Sequence, residues 1–204
     1  MRRRWIGWAA VVVAAAGCVE PESATPPAWR EVSAEQLSAA QQQALERARA
    51  GIGSLGKTLR AELQAALTSG PAEQAVAVCR ERAPQIAEAV AREQGLEIGR
   101  TSFRIRNPDN RPPAWAADLV AAKTSGPRLR LLEGDRLGVL QPIVLEANCL
   151  LCHGPAESIP PGLQATLREL YPRDEATGFR ENEVRGYFWV SVPLDAAATQ
   201  PARR

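Results

Sequence analysis

The pentapeptide Cys149-Leu150-Leu151-Cys152-His153 constrains this chain more than any other stretch of its 204 residues. Cys-x-x-Cys-His is the attachment pattern for c-type haem: two thiols add to the vinyl groups, and the adjacent imidazole binds the iron from one face. His153 is the only histidine, and the only methionine is Met1. The usual bis-histidine and histidine–methionine coordination is therefore closed to one chain acting alone. A fold built on this motif is left with one unassigned sulfur, Cys79, or with an open coordination position.

Two other uses of the same residues compete. A Cys149–Cys152 disulfide would be expected in a thioredoxin-like strand–helix setting, which the surrounding pattern lacks. Zinc accepts three thiolates and an imidazole, here Cys79, Cys149, Cys152 and His153, although the adjacent Cys152 and His153 would both have to reach one tetrahedral ion. Cys79 has two readings of its own. It is either a small apolar side chain of the core or a ligand, since an exported protein rarely keeps an unpaired thiol without a use.

Export is read from the first residues. Arg2, Arg3 and Arg4 precede an apolar run from Trp5 to Gly17, the pattern of a secretory leader over residues 1–17. The run is too short for a membrane span, which needs roughly 20 residues. Ala15-Ala16-Gly17-Cys18 resembles a bacterial lipobox, which would lipidate Cys18 and anchor the chain; ordinary cleavage after Ala16 is the alternative. Residues 18–33, with Pro21, Pro26 and Pro27, read as a flexible tether, 34–196 as a single domain and 197–204 as a disordered tail. The expected location is the periplasmic side of a bacterial membrane. The formal charge of +2 turns slightly negative once the three leader arginines are gone, and nothing in it suggests nucleic acid as a partner.

The domain reads as α+β. From Ala34 to about Thr68 the pattern is helical, and Leu55, Leu59, Leu63 and Leu67 form one apolar stripe. Gly51, Gly53 and Gly56 weaken its middle and predict either two helices or a kink. After Ser69-Gly70-Pro71 a second helix places Ala75, Cys79, Ala83, Ile86 and Val90 on one inward face, and Gly95 ends it. Strands are expected over Leu96–Arg106, Leu129–Leu132, Leu137–Leu145 and Tyr187–Leu194, with short helices over Trp115–Lys123 and Gln164–Leu170. Long helices ahead of a small antiparallel sheet give this class its shape. On a strand through 100–106, alternation puts Arg100, Arg104 and Arg106 on one face. They are candidates for the carboxylates of a haem, with a solvated face as the alternative reading.

Several blocks, in order, carry a resemblance. They are Ala77-Val78-Cys79-Arg80 with Ala83-Pro84, Arg100 through Asn110, Pro113 and Trp115, the pentapeptide with Gly154, Tyr171-Pro172-Arg173-Asp174, Ala176, Gly178-Phe179 and Arg185-Gly186. Over roughly Gly51 to Leu194 the chain resembles the cyanobacterial Tll-type c-haem domain family, long catalogued as a domain of unknown function. The resemblance implies a PAS-like antiparallel sheet flanked by helices, one covalent haem c, His153 as proximal iron ligand and Cys79 as distal sulfur ligand. Two positions depart from the family pattern. Ala116 stands where the family often has Glu, and Glu181-Asn182-Glu183 stands where it favours Gly.

A sulfur ligand pushes electron density onto iron and stabilises the oxidised state. Its release on reduction would open a site for CO or NO. The leading expectation is therefore an exported, membrane-anchored redox or small-gas sensor that needs a signalling or redox protein as partner. A single-electron carrier is the second, and an enzyme is not expected, because no second histidine is available for acid–base work.

Overall fold

The computed structural model describes residues 29–133 and 135–194. The leader over 1–17, the lipidation of Cys18, the tether up to residue 28 and the tail over 197–204 lie outside the described residues.

The chain enters on a strand, β1, Trp29–Val32. This corrects the tether, which was expected to run to residue 33. The segment pairs antiparallel with β3, Arg128–Leu132, from Trp29 against Leu132 to Val32 against Leu129. Its side chains have a core to join: Val32 is buried, and the guanidinium of Arg130 lies 5.6 Å from the Trp29 ring.

A single long helix follows, α1, Ala39–Ser69, 31 residues. Its start is fixed by a capping box: the Gln41 amide donates to Ser38 Oγ at 3.4 Å, and the Ser38 amide donates to Gln41 Oε1 at 2.9 Å. The glycines do not break it. A Cβ at Gly51 would stand 3.2 Å from Leu96 Cδ2, and one at Gly56 would stand 3.6 Å from Phe188 Cζ. Both glycines let the helix lie close on the sheet, and packing there outweighs their low helix propensity. The leucine stripe changes role along the helix, because residues four apart drift by about 40° per step. Leu55 is fully buried in the core, whereas Leu59, Leu63 and Leu67 face a cavity.

The second helical segment has three parts: α2, Ala72–Ala77; a π-helical turn, Val78–Arg82; and α3, Ala83–Gln94. Gly95 closes it in the left-handed region, φ 61°. Then come β2, Glu97–Thr101, a short helix α4, Ala117–Ala121, β3, and β4, Arg136–Val144. The one-turn α5, Leu150–His153, the helix α6, Pro161–Leu170, and β5, Val184–Pro193, complete the chain.

All pairings are antiparallel, and the sheet order is β1-β3-β4-β5-β2. Val139, Val190 and Val192 join Leu45, Leu55, Ile86 and Val90 in the core under α1 and α3. The opposite face carries Leu140 and Tyr187 against Trp115, Leu119 and Val120. Burying each large apolar side chain contributes about 1.5–3 kcal/mol, so both layers matter to the sheet. Arg130, almost wholly buried, forks onto Asp118 at 2.7 Å through both Nη atoms and also donates to the Trp115 carbonyl, which clamps α4 down. The result is the expected α+β, PAS-like arrangement of an antiparallel sheet flanked by helices. Among the described residues no helix is long and apolar enough to cross a membrane.

Candidate functional site

The pentapeptide leaves the sheet at the end of β4. Leu145 still exchanges backbone hydrogen bonds with the 182–183 turn, at 3.0 and 2.9 Å, before the chain coils into a 3-10 turn, Ala147–Cys149, and α5. Cys149, Cys152 and His153 all line one cavity of about 540 Å³. Leu59, Leu63 and Leu67 of α1 form an apolar wall, Phe188 and Ile143 another, and Cys79 enters from the π-helical turn. The three thiols are free and half-buried.

His153 is held by the loop before β5. Its Nδ1 is 2.7 Å from the Ala176 carbonyl, the Phe179 amide donates to its backbone carbonyl at 2.9 Å, and the Phe179 ring meets the imidazole edge-on at 6.5 Å. Arg185 Nε also lies 3.1 Å from Nδ1. A carbonyl only accepts and a guanidinium only donates, so one ring nitrogen cannot serve both. The shorter contact decides: Nδ1–H donates to Ala176, Arg185 stands alongside as a charge, and Nε2 is left unprotonated. Burial, then Arg185 and Arg106, hold the imidazole well below its ordinary range, against the Ala176 carbonyl. The ring is therefore neutral near pH 7, which is the form a metal binds.

Arg185 was not anticipated as a site residue. It stands at an irregularity of the β4–β5 ladder: Ile143 pairs with Gly186 but Val144 pairs with Val184, so Arg185 is the extra residue. Bulges of this kind re-aim a side chain. Burial pulls its guanidinium down to about 10, still a cation at neutral pH. A short offset in strand pairing leaves no mark on sequence periodicity, so nothing in the pattern signalled this role.

The three expected arginines separate, which corrects the single-face reading. β2 ends at Thr101 because Ser102 Oγ takes over the hydrogen bonding, donating to the Arg185 carbonyl at 2.7 Å and accepting from the Arg104 amide at 3.0 Å. Beyond it, strand alternation no longer applies. Arg104 turns away from the cavity, donates to the carbonyls of Glu175 and Thr177, and stacks 4.3 Å from the Phe179 ring centroid. Arg106 lines the cavity, but its guanidinium is committed to Asp174 at 2.9 Å and to the Cys152 carbonyl at 2.6 Å. Arg100 lines the cavity and pairs in register with Phe188. Arg60 of α1 also lines it, its Nη1 and the Phe188 ring each 3.6 Å from a Cβ built at Gly56. Among the described residues neither Arg60 nor Arg100 has an acidic partner.

Cys79 owes its position to the π-helical turn, where the Ala83 amide donates to the Val78 carbonyl, five residues back. Such a turn inserts one residue into a helix, commonly at functional sites. Ala83, Ile86 and Val90 keep the core, while Ala75 and Cys79 line the cavity. Burial, with the neighbouring Cys79 and Cys149, pushes the Cys152 thiol up to about 11, against Arg106, so it is protonated near neutrality. Among the described residues no three His, Cys, Asp or Glu side chains converge to hold a metal ion, and the zinc tetrad finds no support.

Among curated proteins none matches this chain. The fold is similar to the crystal structure of the cyanobacterial haem protein Tll0287, with a TM-score of 0.58 at 23% identity, covering 74% of this chain and 95% of that one. That likeness is one of fold. The family model Tll0287-like spans residues 32–193, from the end of β1 to the end of β5 and so across every wall of the cavity, and on that match the chain belongs to the Tll0287-like family.

Proposed function

We propose that this chain is an exported haem c protein that senses redox state or a small gas. One haem is held covalently by Cys149 and Cys152, with His153 Nε2 as proximal ligand and Cys79 as distal sulfur ligand. The observation that carries this reading is the convergence of the pentapeptide and Cys79 on one cavity of about 540 Å³, with His153 Nδ1 already committed to Ala176. A protein of the same fold is a haem protein by description, which supports the cofactor.

The residues fit the group. The protonated Cys152 thiol suits addition to a vinyl group better than coordination of zinc. Leu59, Leu63, Leu67, Ile143 and Phe188 offer apolar surface to a macrocycle. Arg60 and Arg100 supply unpaired cations for its carboxylates, and Arg106 stands beside them. Bound there, haem would supply one-electron chemistry and a binding position for a diatomic gas. Cys79 lies on a helix segment whose hydrogen bonding is already shifted by one residue, so its displacement leaves the main helical ladders on either side intact. That favours a ligand that lets go on reduction, hence sensing. Lipid at Cys18 would hold the domain at the membrane facing the periplasm, and a separate redox or signalling protein would read it.

Val144 supports a second reading. It lines the cavity and is half exposed, so an edge of the cofactor would be open to a partner, as a single-electron carrier requires. No enzymatic activity is assigned.

Absorption spectra of the full chain, made in cells with haem-attachment machinery, test both readings. Covalent haem with a low-spin sulfur spectrum when oxidised, lost in Cys79→Ala, supports the ligand set. Loss of that spectrum on reduction, with CO then binding, supports sensing; sulfur retained in both states supports the carrier. Absence of covalent haem overturns the proposal.

A further inference from the structure

We infer that Arg185 is a positioning residue that sets the donor strength of His153: its guanidinium is a positive charge held against Nδ1 of the imidazole, and it favours the reduced, less positive state of the iron. The inference rests on the haem reading above and adds a determinant of the reduction potential on the proximal side.

Three features carry it. The first is placement. Arg185 is the one residue that β5 holds in excess of β4, and the offset sets its side chain beside His153 at the cavity wall, with Nε 3.1 Å from Nδ1. The second is anchoring. Nη1 donates to Ser102 Oγ at 2.7 Å and to the Arg104 carbonyl at 3.1 Å, and the guanidinium carbon lies 5.3 Å from the Phe179 ring centroid. Ser102 is itself buried, so the fork is held on fixed groups. The third is charge. The one acid of the 171–179 loop within an ion pair, Asp174, is taken by Arg106 at 2.9 Å. Arg185 has no ion-pair partner among the described residues.

Metal-binding histidines usually donate their second nitrogen to a carboxylate or carbonyl, and a carboxylate there raises ligand basicity. This chain has the reverse arrangement. A neutral carbonyl, Ala176, takes the N–H, and a cation occupies the ground where a carboxylate would stand. The cation draws the ring's electron density toward itself and away from the iron, whereas a carboxylate would push it onto the iron. A distal sulfur ligand pulls the potential the other way, so the two sides of the site oppose each other. When one electron enters from an external reductant, no proton need follow, because Nδ1–H stays on Ala176.

The test is a potentiometric titration of the haem-loaded full chain in three forms: wild type, Arg185→Lys and Arg185→Gln. Arg185→Gln is expected to lower the Fe(II)/Fe(III) equilibrium constant about tenfold, or about 59 mV for one electron, while Arg185→Lys stays much closer to wild type. Equal falls in both variants, or no fall in Gln, overturn the inference, because a merely structural residue would not distinguish charge from shape. Thermal melting checks folding. Should the Gln variant not fold, Ser102→Ala frees the guanidinium from one anchor and is expected to give a smaller fall of the same sign; an unchanged potential there overturns the inference. Protein isolated without covalent haem overturns the haem reading and this inference together. Covalent haem with coincident potentials overturns this inference alone.

Discussion

Arg106 ties the pentapeptide to the loop that fixes its histidine, donating from Nε to Asp174 Oδ2 at 2.9 Å and from Nη2 to the Cys152 carbonyl at 2.6 Å. Asp174 Oδ1 also accepts from the Ala176 amide at 2.8 Å, and the Ala176 carbonyl receives Nδ1–H of His153. One carboxylate therefore sets the height of the carbonyl that orients the ligand. Both side chains of the pair are only about a tenth exposed.

Breaking this pair from one side should be costly, since it strands a buried charge. Asp174→Ala is expected to lose about 3–5 kcal/mol of stability, read from urea unfolding curves at neutral pH. Arg106→Met is expected to cost as much or less, because it strands the other charge, Asp174, but fills the space. A loss below about 1 kcal/mol in Asp174→Ala would show that the loop holds its shape without the pair.

A second ion pair gives a pH signature far from the cavity. The hydrogen bond from Arg130 holds the Asp118 carboxyl below the usual carboxylate range. A depressed folded value means that the contribution to stability is present above the unfolded value, about 3.9, and is lost as pH falls through the folded one. Wild type should exceed Asp118→Asn in melting temperature at pH 6, and the gap should close at pH 2–3. A gap independent of pH would assign the effect to packing of α4 alone. Asp118 is more than half exposed, so the difference is expected to be modest.

Gly99 tests how β2 meets its neighbour. A Cβ there would fall 2.6 Å from Cε2 of Trp189, its partner in register on β5. Gly99→Ala should push the indole off its place and cost about 1–3 kcal/mol, with a shift in tryptophan emission. Since Arg100 is the next residue, the same change should also disturb the cavity wall. Unchanged emission and stability would mean that the indole has room to swing aside.

Much of this was legible in the sequence because local patterns carry it. Amphipathic spacing marks α1 and the 72–94 helical segment, apolar runs on either side of the Glu133-Gly134-Asp135 turn signal mark β3 and β4, β-branched and aromatic residues mark β5, and Gly95 marks a helix end. The helical spacing that turned Cys79 inward agrees with its place on the cavity wall. What escaped depends on partners distant in sequence. Trp29–Val32 follows a proline pair and becomes a strand only because β3 offers an open edge about 100 residues later. Arg104 and Arg106 left the predicted strand because Ser102 trades the ladder for hydrogen bonds to Arg185 and Arg104. The two one-residue insertions, at Cys79 and at Arg185, alter phase without altering composition, so no periodicity reports them.

The change of role along α1 makes the helix a beam seated in the core at one end and, at the other, set between the cavity and the 72–82 segment, whose Arg82 holds Glu62 at 3.1 Å. Leu45 and Leu55 seat it in the core, while Leu63 and Leu67 reach past the sheet to the cavity. At 1.5 Å per residue the 31-residue rod is about 46 Å long. Whatever fills the cavity bears on that far end, and a stiff rod delivers the push to its root near β1, the strand that follows the segment leading in from the N-terminus.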